Sequence, residues 1–270
     1  MPTLVLPSGN QISYAESGNG RVVLQIGGAA LSKHQFSRLT PILRQHCRVL
    51  DVELPGYGGN EGPNHGGTID GWATDIADLV DHLRIGPAFI HGASVGGFVA
   101  MSAAAARPDL VAGLIVSSSV LRADRYMKLM RENWGAIAVG LGMRYLATTM
   151  ALASFTPAFV DTDDGLAEIR LMQDAFDAVD PNKFVAAQRD VMGMDLRRLA
   201  HRIAARTLFI ASPHDSMYPL FMEPHGTGLG DAHKLIRSSR LHLIEDCGHS
   251  FYIERAPQCA NAISVFVNES

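Results

Sequence analysis

The run 92–96 has the form Gly-x-Ser-x-Gly, which makes Ser94 a candidate nucleophile. An apolar run typical of a buried strand (88–92) precedes Ser94, and a segment of small residues with helical character (95–106) follows it. An abrupt strand-to-helix turn strains its middle residue, and only small residues fit two positions to either side. Such a turn presents the serine hydroxyl at a helix N-terminus, where free N–H groups stabilise an oxyanion. The pattern predicts a serine nucleophile with the N–H of Val95 as an oxyanion donor, and the alternative is a serine that only caps the helix.

Two further polar residues follow predicted strands later in the chain. Asp215 comes shortly after the strand predicted over 206–211, and His249 follows the last predicted strand. A carboxylate on such a loop can hold an imidazole in the tautomer that takes a proton from serine. The order serine, aspartate, histidine is that of the nucleophile-elbow hydrolases. Asp124, or a serine after the strand that begins at Leu110, is the alternative position for the acid.

Other histidines compete with His249 for the role of base. His242 alternates within a predicted strand and His233 lies in a predicted helix, so we interpret both as structural. We expect His91 to be packed inside its strand and His214 to be exposed. The histidines lack the paired spacings of metallohydrolases, and no glycine motif typical of dinucleotide binding opens a strand–helix–strand unit. We therefore expect neither a metal nor a cofactor.

The elements that must position these residues alternate along the chain. Short apolar, β-branched runs such as 22–26 alternate with segments of helical period such as 69–83. This alternation predicts an α/β fold with a mostly parallel central sheet covered by helices on both faces. After the strand 22–26, Ser32 and Gln35 have the spacing of a capping box, which predicts a helix that continues to about residue 44.

The segment 120–198 interrupts this alternation, because it carries helical patterns only. We predict an α/β core formed by 1–119 and 199–270 and a helical cap formed by 120–198. The cap segment is rich in methionine, an unbranched side chain that fills irregular apolar space. We therefore expect apolar cap side chains to roof the pocket above Ser94 and the substrate to be small and largely apolar.

The composition excludes several classes of function. The 270 residues carry a net charge of −4, and so the chain lacks the positive charge of a nucleic-acid-binding protein. We see neither a signal-peptide pattern nor the run of about 18 apolar residues that a membrane span needs. Three cysteines without a C-x-x-C spacing favour a reducing compartment. We expect a cytoplasmic protein that acts on a small molecule and binds neither nucleic acid nor membrane. The sequence is compatible with a homodimer.

The chain resembles the α/β-hydrolase superfamily over essentially its whole length. Four pieces carry the resemblance: the glycine-rich turn 27–30, the loop 53–58, the Ser94 elbow, and the loops of Asp215 and His249. The cap, in which 121–124 lead into its helices, is similar in style to that of small-ester and enol-lactone hydrolases of the 3-oxoadipate enol-lactonase and aminoacrylate hydrolase kind.

This resemblance implies a serine hydrolase that forms an acyl-enzyme on Ser94, with His249 as the base and Asp215 as its orienting acid. It also implies that the N–H of Ala29 is the second oxyanion donor. The family usually has His-Gly where this chain has Gly27 and Gly28, but a backbone donor needs no particular side chain. The alternatives are C–C bond hydrolysis, thioester cleavage, acyl transfer, a biosynthetic cyclisation, or a receptor that binds its ligand without catalysis.

Overall fold

A computed structural model of the chain describes residues 1–30, 32–57, 60, 62, 67–222 and 227–269, the side chains of residues 32 and 33 excepted. Its strands are β1 (Thr3–Val5), β2 (Gln11–Ser17), β3 (Val22–Ile26), β4 (Arg48–Glu53), β5 (Ala88–Ala93), β6 (Val111–Ser117), β7 (Thr207–Ala211) and β8 (Ser239–Leu243). These strands form one sheet in the order β1-β2-β4-β3-β5-β6-β7-β8. Strands β3 to β8 are parallel to one another, and β1 and β2 are antiparallel at one edge.

The predicted parallel sheet is confirmed, and its patterns reflect burial. Every residue of β5 and β7 is buried, because helices cover both faces of a parallel sheet. The sequence patterns missed β1 and β2. These strands lie at the edge of the sheet, and much of β1 and part of β2 are exposed, so they lack the continuous apolar run of an interior strand.

In the residues that the structure describes, six α-helices pack around this sheet outside the segment between β6 and β7. They are α1 (Thr40–Leu43), α2 (Ile69–Leu83), α3 (Val95–Ala106), α10 (Leu229–Leu235), α11 (Phe251–Glu254) and α12 (Ala256–Asn268). Helix α3 packs against β5 and β6 and is buried from Val95 to Ala105, which explains why it consists mostly of small residues. No helix in the described ranges is long and apolar enough to cross a bilayer.

The prediction of one helix from Ser32 to about residue 44 is wrong. A short 3₁₀ helix (Ser32–Phe36) ends before α1 begins at Thr40. The Gln35 side chain does not close a capping box, because its amide accepts a hydrogen bond from the N–H of Gly28 and donates one to the hydroxyl of Tyr252. Pro41 then lies in the first turn of α1, where proline is tolerated but cannot continue an existing helix.

Six further helices lie between β6 and β7 in the described chain. They are α4 (Arg125–Gly140), α5 (Met143–Ser154), α6 (Pro157–Val160), α7 (Asp163–Asp177), α8 (Pro181–Gly193) and α9 (Arg197–Ala200). We propose that this segment is the cap and use that name below. Arg38 connects it to the region after β3, since its guanidinium pairs with Glu168 at 2.6 Å and with Asp164 at 3.0 Å.

Candidate active site

The site lies at the carboxyl ends of four neighbouring parallel strands, β5 to β8. Ser94 follows β5, Ser118 follows β6, Asp215 follows β7, and His249 follows β8. Because the carboxyl ends of parallel strands meet at the same edge, residues that are far apart in the sequence come together there.

Ser94 lies in the strained turn that the sequence predicts. Its φ of 55° and ψ of −118° lie in a region that few residues other than glycine adopt. The turn is also too tight for side chains beside it. A Cβ atom on Gly92 would lie 2.1 Å from the carbonyl oxygen of Gly96, and one on Gly96 would lie 2.0 Å from that of Ile26. The two glycines of the motif are therefore required by close backbone contacts.

The loop after β6 holds the backbones of Ser94 and His249 side by side. The hydroxyl of Ser119 donates to the carbonyl oxygen of Ser94 at 3.0 Å, and that of Ser118 donates to the carbonyl oxygen of His249 at 2.6 Å. The Ser94 hydroxyl forms no hydrogen bond within the described part of the chain, to His249 or to any other residue. Such a bond is often long or absent before substrate binds.

Asp215 and His249 form a buried pair. The Nδ1–H of His249 donates to Oδ2 of Asp215 at 2.8 Å, and both side chains are almost completely buried. The other carboxylate oxygen accepts the N–H groups of Met217 and Tyr218, each at 2.9 Å. The alternative acid, Asp124, instead caps helix α4. This arrangement directs Nε2 of His249 away from Asp215, as proton transfer from a serine requires.

The two N–H groups expected to bind an oxyanion have no acceptor among the described residues. These are the N–H groups of Ala29 and Val95. The N–H of Gly28 is already occupied by Gln35, so Ala29 is the first free donor of this turn. The turn lies against the elbow, because a Cβ atom on Gly28 would be 3.0 Å from Cβ of Ser94. Both donors are thus on elements that border Ser94.

The four other histidines considered in the sequence analysis lie elsewhere in the fold. His91 is buried inside the sheet, where its Nε2 is hydrogen-bonded with Ser117 Oγ at 2.9 Å, and burial lowers its pKa to about 3. His233 is bonded to a serine beyond its own helix, His242 is exposed in β8, and His214 is exposed in a loop. In the described ranges, no group of three histidine, cysteine or acidic side chains is arranged to hold a metal ion.

The structure adds a residue that the sequence analysis missed. Arg131 lies in the cap helix α4 and is only 1% exposed. Its guanidinium donates to the side-chain oxygens of Gln188 and Tyr218. Tyr218 in turn packs edge-on against the His249 ring, with 5.0 Å between ring centroids. The spacing of the buried residues of α4 (Met127, Arg131, Trp134 and Ala138) is helical, and an arginine on such an apolar stripe is the signal that was available.

Comparisons with known proteins identify a family and several relatives. The profile of the Alpha/beta hydrolase family matches residues 26–262. A putative non-heme bromoperoxidase from Mycobacterium tuberculosis is 26% identical over 93% of this chain and 94% of its own length. The 2-hydroxymuconate semialdehyde hydrolase of a Pseudomonas species is 26% identical over 98% of this chain and 93% of its own. The pimeloyl-[acyl-carrier protein] methyl ester esterase of Neisseria meningitidis is 27% identical over 91% and 93%.

Solved structures show the same fold. The enol-lactonase from Burkholderia xenovorans superimposes with a TM-score of 0.87 at 22% identity, covering 99% of this chain and 100% of its own. A thermophilic esterase from Thermogutta terrifontis gives a TM-score of 0.85 at 23% identity over 98% and 97%.

Proposed function

The chain belongs to the alpha/beta hydrolase family, and from this premise we propose that it is a serine hydrolase of small carboxylic esters or lactones. The observation that carries the proposal is the buried Asp215–His249 pair beside the strained turn of Ser94. A strained serine next to an oriented imidazole is the arrangement that acyl transfer needs. The enol-lactonase and methyl ester esterase among the similar proteins support this substrate class.

The proposed reaction begins when Nε2 of His249 takes the proton of the Ser94 hydroxyl as its oxygen attacks the substrate carbonyl. The Asp215 carboxylate holds the imidazole and stabilises its positive charge. The N–H groups of Ala29 and Val95 bind the oxyanion of the tetrahedral intermediate, and loss of one such donor costs about 3 kcal/mol in comparable sites.

The intermediate then collapses, and His249 returns the proton to the leaving alcohol oxygen. In a lactone this alcohol stays attached to the acyl group. Water attacks the resulting acyl-enzyme after His249 takes one of its protons, and the acid is released as Ser94 recovers its hydroxyl hydrogen. No step requires a metal or a cofactor.

Covalent labelling tests the nucleophile directly. A fluorophosphonate should label the wild-type chain once, and Ser94→Ala should abolish both labelling and hydrolysis of a p-nitrophenyl ester. We expect a loss of about two to four decades in kcat, because the triad acts as a unit. Ser102→Ala is the matched control, since Ser102 lies two turns further along α3 and its hydroxyl donates to Asp70 at 2.6 Å. Labelling that persists in Ser94→Ala would refute the proposal.

A second candidate is hydrolysis of a C–C bond by the same residues. The similarity to 2-hydroxymuconate semialdehyde hydrolase over 98% of this chain favours it. A chain that is labelled at Ser94 and cleaves a vinylogous diketone faster than any ester would replace the ester proposal by this one. A chain that binds ligand but is never labelled would be a receptor.

A further inference from the structure

Arg131 carries a positive charge that no acidic side chain in the described part of the chain neutralises. The residues described contain no carboxylate within ion-pair distance of its guanidinium, although 99% of the residue's surface is buried. Its two partners, Gln188 and Tyr218, are neutral. A buried charge is costly unless it is paired, and a purely structural tie between these elements would not need the charge. An anion from outside the chain would complete the site.

Arg131 has neighbours in two loops that follow strands of the sheet. Its partner Tyr218 packs against His249, and the Arg131 carbon Cζ lies 5.9 Å from the Tyr218 ring centroid. The other neighbour, Tyr57, follows β4. Burial raises the pKa of Tyr57 to about 12, and the charge of Arg131 and the N–H of Ala30 oppose that rise, so both lie near its hydroxyl. Ala30 adjoins the proposed oxyanion donor Ala29.

Unused hydrogen-bond donors face this region. Among the residues that the structure describes, the Nε–H of Arg131 has no hydrogen-bond partner, and the Tyr57 hydroxyl has none of good geometry. The Tyr218 hydroxyl accepts from Arg131 and keeps its own hydrogen to donate. The Nε–H and the neighbouring Nη–H of an arginine point in parallel, which matches the two oxygens of a carboxylate. One guanidinium also balances the single charge of a carboxylate, whereas a phosphate would bring more than one.

We propose that Arg131 binds a carboxylate group of the substrate, so that the preferred ester or lactone is itself an acid with an otherwise apolar body. This inference rests on the proposed hydrolysis at Ser94. The cap then does more than exclude water, because its helix α4 fixes the far end of the substrate while Ser94 attacks the carbonyl. The apolar neighbours of Arg131, among them Trp134 with its ring centroid 5.5 Å from Cζ, leave the guanidinium as the main polar anchor.

A cavity beside Tyr57 is consistent with access for such an anion. It has a volume of about 170 Å³, lies between the loop after β4 and cap helix α8, and is lined by Tyr57, Trp72 and Ala187. Lys183, which is exposed, also lines this cavity. A cation in the lining of an apolar cavity attracts anions and repels cations.

The test compares two esters that differ only in charge. One is p-nitrophenyl hydrogen adipate, and the other is its isostere in which an isopropyl group replaces the terminal carboxylate. We expect the wild-type chain to hydrolyse the anionic ester with a kcat/KM at least about tenfold higher. Arg131→Met should lower kcat/KM for the anionic ester about ten- to a hundredfold and change that for the neutral ester less than about threefold. Arg131→Lys keeps the positive charge but lacks the two parallel donors of the guanidinium, so its kcat/KM for the anionic ester should lie between those of the wild-type and Arg131→Met chains.

Lys128→Met is the matched control, since Lys128 lies almost one turn earlier on α4 and is exposed. It removes the same charge from the same helix and should leave the ratio of the two esters unchanged. Equal loss on both esters in Arg131→Met, or a wild-type chain without preference for the anionic ester, would overturn the inference. Met fills a similar volume, and a buried ion replaced by an apolar side chain is often tolerated. If Arg131→Met still fails to fold, Arg131→Lys decides alone.

Binding of adipate itself separates this inference from the proposed function. The Trp134 ring lies beside Arg131, so adipate should change tryptophan fluorescence in the Ser94→Ala chain, and Arg131→Met should abolish that change. If neither ester is hydrolysed but adipate binds through Arg131, the proposed function fails and the anion site stands. If the neutral ester is hydrolysed but adipate does not bind, the anion site fails and the hydrolase stands. Inorganic phosphate that binds as well as adipate would overturn the choice of a carboxylate.

Discussion

Asp215 shows at the scale of one residue how the loop after β7 prepares an imidazole. One carboxylate oxygen accepts from His249, and the other accepts two backbone N–H groups. Three donors to one carboxylate hold it in a single orientation. Because one of these N–H groups belongs to Tyr218, the same carboxylate also positions the partner of Arg131. We therefore propose that Asp215 positions both the proposed base and the proposed anion site.

Asp215→Asn should lower kcat about a hundredfold or more while the chain stays folded, because an amide permits the wrong histidine tautomer. Asp124→Asn is the control. Asp124 caps α4 by accepting a hydrogen bond from the N–H of Met127 at 2.8 Å. An asparagine can accept the same bond, so the Asp124→Asn chain should keep its wild-type activity. Esterase assays of both variants, with circular dichroism to verify the fold, decide between the two acids. A reversed outcome would move the orienting acid to the cap.

At the scale of elements, the elbow depends on how closely helix α3 approaches strand β3. The first turn of α3 contacts the end of β3 so tightly that a Cβ atom on Gly96 would overlap the Ile26 carbonyl. The same contact borders the Ala29 turn, so the two proposed oxyanion donors are held by one helix–strand junction. The loop of His249 is fixed in a similar way. The carboxylate of Glu254 accepts from the N–H of Gly248 at 2.9 Å and from the hydroxyl of cap residue Thr156 at 2.6 Å.

Gly96→Ala should lower the free energy of unfolding by about 2 kcal/mol or more and reduce activity, because backbone atoms must shift to admit the methyl group. Gly140→Ala, at the end of α4, is the matched control. A Cβ atom there meets nothing within 4 Å, and its stability should change by no more than about 1 kcal/mol, in the stabilising direction. Urea unfolding of both variants measures the difference. A fully stable and active Gly96→Ala chain would contradict the tight junction.

For the whole molecule, the buried His91 makes stability depend on pH. Burial lowers its pKa to about 3, whereas the unfolded chain titrates near the ordinary value of 6.5. Between these pH values the unfolded state binds a proton that the folded state does not. The contribution of neutral His91 to the free energy of unfolding is therefore complete above about pH 6.5 and is lost as the pH falls toward 3.

His91→Leu should therefore flatten the dependence of unfolding free energy on pH, by up to about 1.4 kcal/mol per pH unit below pH 6. Leucine also loses the hydrogen bond to Ser117, so the slope and not the absolute stability is the result to compare. His242→Gln, at an exposed position of β8, should leave the slope unchanged. Urea unfolding between about pH 4 and 7 supplies the slopes, and parallel slopes for the wild-type and His91→Leu chains would exclude this role for His91.

The amino-acid sequence by itself determined the features that depend on short-range order. Small residues two positions from Ser94 and an apolar run before it predicted the elbow, because such a turn has local steric requirements. The alternation of strand and helix periods predicted the parallel sheet, and that order implies that Asp215 and His249 follow strands that end at one edge. The roles of these residues in catalysis remain our proposal, but their placement follows from local patterns.

Only the tertiary structure decided the features that depend on contacts between distant segments. Gln35 has the spacing of a helix cap, yet its amide bonds with Gly28 and Tyr252, because that bond satisfies a buried N–H that no local group reaches. Arg131 lies on the apolar stripe of α4, which the sequence shows, but the sequence does not show which groups surround its charge. Its burial, its neutral partners and its position near His249 appear only when α4, α8 and the loop after β7 pack together. Whether a charge is paired is a property of the folded surroundings, since the neighbouring groups come from segments far along the chain.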